Sequence, residues 1–455
     1  YPVSTTKYGS SLDLPMLVAL LSSLGALKST IIVSERQLWL GELRLDGTVC
    51  PIIGMPVILE AAARLGYKEV WCSDQCLNQL AQQDYGVKIC TINHISELVN
   101  QDACHRSKLN GNLAPPQKTS TSQLSETGLQ ALPSHDWQVL LSQPMVEKAL
   151  LIAAAGWHHT LLVGPPGLGK TTVAALLIEL LPALQPDELA QVIKVRSLVS
   201  GNQDSGLRRS CIQVNAYSTM TNLIGNAKQN CLGAVSRAHK GVLFLDELLH
   251  FPAQQLDALR DPLELGEIVL QNNDRRFPAD FLFIGVTNPC KCGNALSQFT
   301  RCRCGTNALF QLQRKLDAAW LDRMSLCMYI DYQPTSWQVK PLSLEVTQQK
   351  VSQLKSITEA VWMRQQKRWG AGWHNGRVKN LEQIAQLVVS KEAQLLLQQT
   401  KQHQFLSERS CNKLLLVAST IADIDAVTNN HANSIAVDAK HVAEAVQFRA
   451  KLFSS

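Results

Sequence analysis

The stretch Leu161-Leu-Val-Gly-Pro-Pro-Gly-Leu-Gly-Lys-Thr-Thr172 decides the fold. It contains the pattern GxxxxGK[ST] in full, as Gly164, Pro165, Pro166, Gly167, Leu168, Gly169, Lys170 and Thr171, with Thr172 following. Glycines let the backbone turn tightly enough for its N–H groups to point inward around phosphate oxygens. At this spacing Lys170 reaches the β- and γ-phosphates, and the Thr171 hydroxyl sits on Mg²⁺. Thr160 to Val163 reads as a buried strand leading in, and Thr172 to Leu181 as a helix leading out. The N-terminal dipole of that helix faces the same phosphates. The expectation is a P-loop in an α/β nucleotide-binding core.

About seventy-five residues downstream, Gly241-Val-Leu-Phe-Leu-Asp-Glu247 is an apolar run that ends in adjacent carboxylates. A buried parallel strand has this form, and its C-terminal end is where an open α/β sheet places its chemistry. Asp246 is then expected to hold Mg²⁺, directly or through water, and Glu247 to polarise the water that attacks the γ-phosphate. A second buried run, Phe281-Leu-Phe-Ile-Gly-Val-Thr-Asn288, ends in an amide. Asn288 there suits a residue that orients the attacking water and senses the γ-phosphate, although an Asn at that point also caps a strand. Together these stretches predict a chain that binds and hydrolyses ATP with Mg²⁺.

The bulk composition restricts the rest. At 455 residues the chain is long enough for two to four domains. An apolar fraction of 45% with 18% charged residues describes globular protein. The formal charge of +6 permits contact with nucleic acid without arguing for it, since a solvated surface also carries such a balance. Thirteen cysteines in a large nucleotide-using chain point to a reduced, cytoplasmic setting. There is no run of eighteen or more apolar residues and no charged region ahead of a short apolar core, so no membrane span and no secretion are expected. The first residue is Tyr1, which suggests a fragment or a processed product.

Residues 1–100 read as an α/β unit. Leu12 to Leu27 is helical, Leu38 to Leu45 and 47 to 54 are strands, and Pro56 to Leu65 is a helix ended by Gly66. Val70 to Ser73 and Lys88 to Ile92 are short strands. G-S-S-L-D-L-P (9 to 15), followed by G-E-L-R-L-D-G-T-V-C-P-I-I-G and a helix, resembles the C-terminal part of a Lon-protease-like domain. In that family a serine acts with a lysine. Ser11 matches the serine, but 54 to 60 (G-M-P-V-I-L-E) contains no lysine, and a hydroxyl without a base is not activated. The upstream half of such a domain is missing as well. Residues 101–135, rich in Ser, Thr, Gln, Pro and Asn, read as a linker. An amphipathic helix is expected over Asp187 to Leu198. After Glu247, a helix over Pro252 to Leu259 leads to a short excursion whose Gly266 turns a hairpin.

The P-loop, G-V-L-F-L-D-E, D-A-L-R-x-P-L-E-x-G, F-P-A-D-F, N-P-C-x-C-G and L-D-R occur in that order. The set resembles the magnesium-chelatase-like AAA+ ATPases of the ComM/YifB type over nearly the whole chain apart from the linker. The resemblance implies an α/β fold: an AAA+ P-loop core with a parallel sheet over 136–330, a C-terminal helical lid over 331–455, and a partial Lon-protease-like α/β domain over 1–100. It implies homo-oligomeric rings, commonly hexamers, with nucleotide between neighbours. Arg323 in W-L-D-R-M matches the arginine finger that reaches the adjacent subunit, and Arg409 in L-S-E-R-S matches the sensor 2 arginine of the lid. On residues alone, Arg323 is also an arginine in a surface ion pair and Arg409 a solvated helix residue. ComM-type relatives act as DNA branch-migration motors, which makes DNA the implied partner. The alternatives are a metal-chelatase motor subunit and a weakly hydrolysing, nucleotide-gated scaffold.

Three features stand apart. Cys290, Cys292, Cys302 and Cys304 form C-x-C-G…R-C-R-C, which suits a tetrahedral Zn²⁺ and equally four reduced, unliganded cysteines. Arg364, Lys367, Arg368, Arg377 and Lys379 interleave with Trp362, Trp369 and Trp373. That pattern reads as a base-stacking surface or as a helix with a basic outer face and a Trp-anchored loop. Relatives carry R-P-F-R-x-P-H-H where this chain has R-R-S-C-I-Q-V-N-A-Y (208 to 217), with Asn215 and Ala216 in place of the histidine pair. A loop near the pore or the subunit contact is expected there, and the substitution bears on substrate handling in a central channel.

Overall fold

The computed structural model of the protein describes residues 12–28, 34, 36–80, 84–99, 135–165, 170–198, 208–226, 231–270, 275–297, 300–304, 315–330, 342–429 and 436–449. The chain forms two units, one of residues 1–124 with 185–207 and one of residues 125–184 with 208–455. Ser11 and the linker up to residue 134 lie outside the described residues.

In the first unit, α1 (Asp13–Ser23) precedes β1 (Gln37–Trp39), an antiparallel pair β2 (Glu42–Leu43) and β3 (Val49–Cys50), α2 (Met55–Arg64), β4 (Glu69–Cys72) and β5 (Lys88–Thr91). Strands β1, β4 and β5 are parallel, in that order. The expected strand over 38–45 divides at Leu40–Gly41 into β1 and β2, and Gly47 (φ +89) then turns the chain back and makes β2 and β3 a hairpin. Gly54 (φ +84) swings the chain into α2, a conformation that favours glycine. One core packs α1 through Leu14 and Val18 with the stacked pair Trp39–Trp71, whose ring centroids are 4.5 Å apart. A second core packs α2 through Met55, Leu59 and Ala62 with Val70 and Cys72. The helix Pro186–Ser197 belongs to this unit, not to the nucleotide-binding core in which the sequence pattern places it. It buries Val192 and Val195, and Lys194 pairs with Glu60 of α2 at 2.5 Å. An amphipathic helix needs one apolar surface to cover, and α2 provides it.

The second unit is built on a five-stranded sheet. Its elements are α3 (Pro144–Gly156), β6 (Thr160–Val163), α4 (Lys170–Leu180), β7 (Cys211–Val214), β8 (Val242–Leu245), α5 (Arg260–Leu265), the hairpin β9 (Glu267–Leu270) and β10 (Arg275–Pro278), β11 (Leu282–Thr287) and β12 (Leu326–Tyr329). The sheet order is β12-β6-β11-β8-β7, and every pair is parallel. The central strands β6, β8 and β11 are buried along their whole length, as strands covered on both faces must be. Alternate residues serve opposite cores. Leu162, Phe244 and Ile284 pack toward α3, α4 and the C-terminal helices, while Leu161, Leu243 and Phe283 pack toward Phe251 and Trp320. Gly266 (φ +72) ends α5 instead of turning the hairpin, and residues 271–274 between its two strands lie outside the described residues.

The C-terminal helices α6 (Leu344–Trp369), α7 (Lys391–Gln404), α8 (Glu408–Thr428) and α9 (Ala439–Gln447) form the helical lid. Ser343, Ser390 and Ser407 cap the first three by accepting hydrogen bonds from backbone N–H groups at their starts. Arg368 of α6 makes a two-pronged bond to Asp423 of α8, at 2.6 and 3.1 Å, and Asp423 is buried. Trp362 and Trp369 are buried as well, and Arg209 lies 5.0 Å from the centre of the Trp362 ring. Two of the three indoles in the basic stretch are therefore core residues with no face to offer a base; Trp373 is 43% exposed. Among the described residues no helix is long and apolar enough to cross a membrane.

Two histidines buried beside these tryptophans make the unit acid-sensitive. Burial, then the charge of Lys413, pushes His158 down to about 3, and burial, then Arg209, does the same to His374. The unfolded chain takes up each proton near pH 6.5, whereas the folded chain refuses it. Stability is therefore complete above about pH 6.5. It falls toward pH 3 by up to about 1.4 kcal/mol per pH unit for each histidine. Urea midpoints should drop between pH 7 and pH 5, and His374→Gln should flatten that slope. An unchanged midpoint would contradict the burial of neutral imidazoles.

Candidate active site

Parallel strands all end at one edge, so the residue following each strand joins a shared row. Val163 of β6 pairs with Thr287 of β11, and the Gly164 N–H donates to the Thr287 carbonyl at 3.1 Å. Asn288 follows at once and is half-buried. On the other side of β11, Leu245 of β8 pairs with Gly285, so Asp246 and Glu247 emerge at the same edge. Neighbouring strands lie about 4.8 Å apart, which sets these groups across roughly 10 Å. Helix α4 begins at Lys170, so its N-terminus joins the same row six residues after β6. Gly164 and Pro165 are buried and Thr172 half-buried. Pro166, Gly167, Leu168 and Gly169 lie outside the described residues, as do the side chains of Lys170 and Thr171. The end of β6 and the two carboxylates that the sequence pattern singles out thus stand at one edge of the sheet.

Glu247 has a left-handed backbone (φ 52°, ψ 48°). A residue with a Cβ adopts this at a cost of about 1–2 kcal/mol. Its N–H donates to Asp246 Oδ1 at 2.9 Å, and the chain then reverses into the short turn Leu248–His250. The result turns Asp246 inward and leaves the Glu247 carboxylate 61% exposed, 3.1 Å from His250 Nδ1. A base that must meet water needs that exposure.

Arg323 and Arg409 are elsewhere. Arg323 precedes β12, whose first residue, Leu326, pairs with Thr160, the first residue of β6. Arg323 thus stands at the edge opposite Gly164, a strand of four residues, or about 13 Å, away. Its guanidinium reaches Glu264 at 3.1 Å, the Arg260 carbonyl at 3.2 Å and the Ala319 carbonyl at 2.6 Å. Arg409 grips the same Glu264 carboxylate with both terminal nitrogens, at 2.7 and 3.3 Å. Lys413 donates to the Arg323 carbonyl, and burial together with the guanidiniums of Arg449, Arg409 and Arg323 holds it down to about 7. Among the described residues the structure therefore joins Arg323 to Arg409 through Glu264, at the edge away from Gly164. Glu264 has no assigned role in the sequence pattern. Its only signal there is its place in the stretch D-A-L-R-x-P-L-E-x-G.

The segment 208–217 is not wholly loop. Cys211–Val214 is the edge strand β7, and only then do exposed Asn215 and Tyr217 emerge at the phosphate edge. Arg209 is buried and donates to the carbonyls of Pro182 and Lys240, each at 2.7 Å. Beyond β11, the thiols of Cys290, Cys292 and Cys302 lie 3.4 to 3.7 Å apart. Backbone N–H groups of Arg303 and Asn294 bring the Cys292 thiol down to about 6, while burial pushes Cys290 up to about 12.

Family comparisons agree with this architecture. Residues 136–337 match magnesium chelatase, subunit ChlI; residues 348–449 match the ChlI C-terminal family; and residues 1–75 match subunit ChlI of Mg-chelatase. The chain is similar to the uncharacterized protein YifB of Escherichia coli, 29% identical over 459 residues that cover 99% of this chain and 84% of that one. It is similar to the competence protein ComM of Haemophilus influenzae, 28% identical over 459 residues with the same coverage. An uncharacterized protein of Mycobacterium tuberculosis is 33% identical over 331 residues, 71% of this chain and 62% of the relative. The parallel sheet with its P-loop frame and helical lid is the AAA+ arrangement. The chain belongs to the magnesium-chelatase-like proteins of the ComM/YifB type.

Proposed function

We propose that the chain is a Mg²⁺-dependent ATPase that works as a cytoplasmic ring, a hexamer, and couples hydrolysis to the remodelling or translocation of DNA. One observation supports this most. Gly164, Asp246, Glu247 and Asn288 stand at the phosphate edge, whereas among the described residues Arg323 and Arg409 are gathered at the far edge of the same sheet. A triphosphate in the Gly164–Thr171 loop is then completed by the arginines of a neighbouring copy, and a ring satisfies every site at once.

The donor set fits the nucleotide and its metal. A buried glycine at a strand end, a helix N-terminus, a half-buried carboxylate and an amide form a site for phosphate and for a hard cation with oxygen ligands. Thr171 and Asp246 would hold Mg²⁺, which neutralises charge on the phosphates when bound. Lys170 binds the β- and γ-phosphates. Asn288 orients the water, and Glu247 Oε1 or Oε2 accepts its proton. The neighbour's Arg323 stabilises the negative charge that develops as the γ-phosphate leaves, and for that it exchanges Glu264 for phosphate oxygen.

The likeness to ComM-type proteins supports DNA as the substrate. Phosphate release measured with and without branched or single-stranded DNA tests it. Release should rise several-fold with DNA. Stimulation only by a porphyrin with partner proteins would favour a metal-chelatase motor, and tight ATP binding without release would favour a nucleotide-gated scaffold.

A further inference from the structure

Strand β11 runs past Asn288 directly into a group of four thiols. The Sγ atoms of Cys290, Cys292, Cys302 and Cys304 all lie within 4.8 Å of one another. Cys290–Cys292, Cys290–Cys302 and Cys292–Cys302 measure 3.4, 3.7 and 3.6 Å. A disulfide requires about 2.05 Å, so none of these contacts is one. Four thiolates around one Zn²⁺ at about 2.3 Å form a tetrahedron with edges of about 3.8 Å. The observed spacings fall within a few tenths of an ångström of that figure. Four sulfurs this close leave room for a single ion.

Apolar burial does not explain the convergence, since Cys292, Cys302 and Cys304 are only half-buried. The backbone is shaped around the sulfurs instead. Gly293 (φ +80) turns the first C-x-C back on itself, with its N–H on the Cys290 carbonyl at 3.0 Å. The Cys304 N–H points at Cys302 Sγ, 3.4 Å away. Four thiolates and one Zn²⁺ carry a net charge of 2−, and the exposed cations Lys291, Arg301 and Arg303 are interleaved with the ligands. Soft sulfur donors select Zn²⁺ over the Mg²⁺ of the phosphate edge.

We infer that these cysteines hold a tetrathiolate Zn²⁺ whose work is to fasten the end of β11 and so hold Asn288 in place. Only Pro289 separates Asn288 from Cys290, and two residues of chain span at most about 7 Å. A ligand fixed on one side and a strand fixed on the other leave Asn288 little freedom. This second part rests on Asn288 being the residue that orients the attacking water, which makes the Zn²⁺ a positioning device and not a catalytic one.

The test uses the full chain, purified under reducing conditions in metal-free buffer, with metal counted by mass spectrometry. One zinc per chain is expected, released in step with titration of the thiols by a mercurial reagent. Refilling with Co²⁺ should give the visible bands of tetrahedral thiolate cobalt. Cys292→Ser with Cys302→Ser should retain at least about tenfold less zinc, while Cys231→Ser should retain all of it. If the double variant fails to fold, the cobalt titration of the unaltered chain decides. Zinc removal should leave ATP binding intact and lower kcat at least about tenfold, with recovery on adding Zn²⁺. A folded chain that takes neither zinc nor cobalt overturns the site, and iron in place of zinc overturns its identity. Bound zinc whose removal leaves kcat unchanged overturns its hold on Asn288. Full turnover by Asn288→Ala would instead sink the role of Asn288 and leave the metal site standing.

Discussion

Glu247→Gln is expected to bind ATP as the unaltered chain does and to release almost no phosphate. The substitution keeps the size and the polar surface of the side chain but removes its capacity to accept a proton. General-base catalysis contributes about 10²–10⁴-fold, so turnover should fall by that factor. The fold should survive, because the Glu247 carboxylate is 61% exposed and His250, which it meets, is exposed too. The left-handed backbone at 247 adds a second expectation: Glu247→Gly should relieve the strain and remove the base together, giving a more stable and equally inactive protein. Phosphate release beside fluorescent-nucleotide binding measures both. Unchanged release from Glu247→Gln would remove Glu247 from the mechanism.

Arg323→Ala should have an effect at least as large. An arginine finger is worth about 10³–10⁵ in kcat, so turnover should fall by about that factor. ATP affinity should change little, since Arg323 stands at the opposite edge of the sheet from the loop that binds nucleotide. The local structure should hold as well. Glu264 keeps its two-pronged bond from Arg409, so the deletion leaves no carboxylate without a partner. Arg409→Ala should also slow turnover, because it shares that surface. A chain lacking Arg323 that still hydrolyses ATP at full rate would contradict the assignment.

The parts of this site that could be read from the sequence are those made by short, continuous stretches. β6, β8 and β11 are buried on both faces, so each reads as a largely apolar run, and the runs of β8 and β11 stop at Asp246 and Asn288, the polar residues proposed to act on the phosphates and the water. The lid helices announce themselves by their spacing. The contacts that join distant stretches could not be read. Glu264 meets Arg323 across 59 positions and Arg409 across 145, and only the packing of α5, β12 and α8 at one edge brings them together. The same limit explains the helix Pro186–Ser197, whose amphipathic pattern says that it needs a partner surface but not that the partner is α2. Trp362 and Trp369 mislead for a related reason. Aromatic and basic residues alternating along one helix suit a stacking surface and a core seam equally, and burial against Arg209 and Asn375 decides for the core.

The central claim is that the triphosphate cradle and the arginine of each working site come from different subunits. Mixing Glu247→Gln chains with Arg323→Ala chains tests it directly, since each population alone is inactive. In a mixed ring, some sites join an intact cradle from an Arg323→Ala chain to an intact arginine from its neighbour. Random equal mixing places that pairing at about a quarter of interfaces, so phosphate release should recover to roughly a quarter of the unaltered rate. A mixture that stays as inactive as its components would contradict the account.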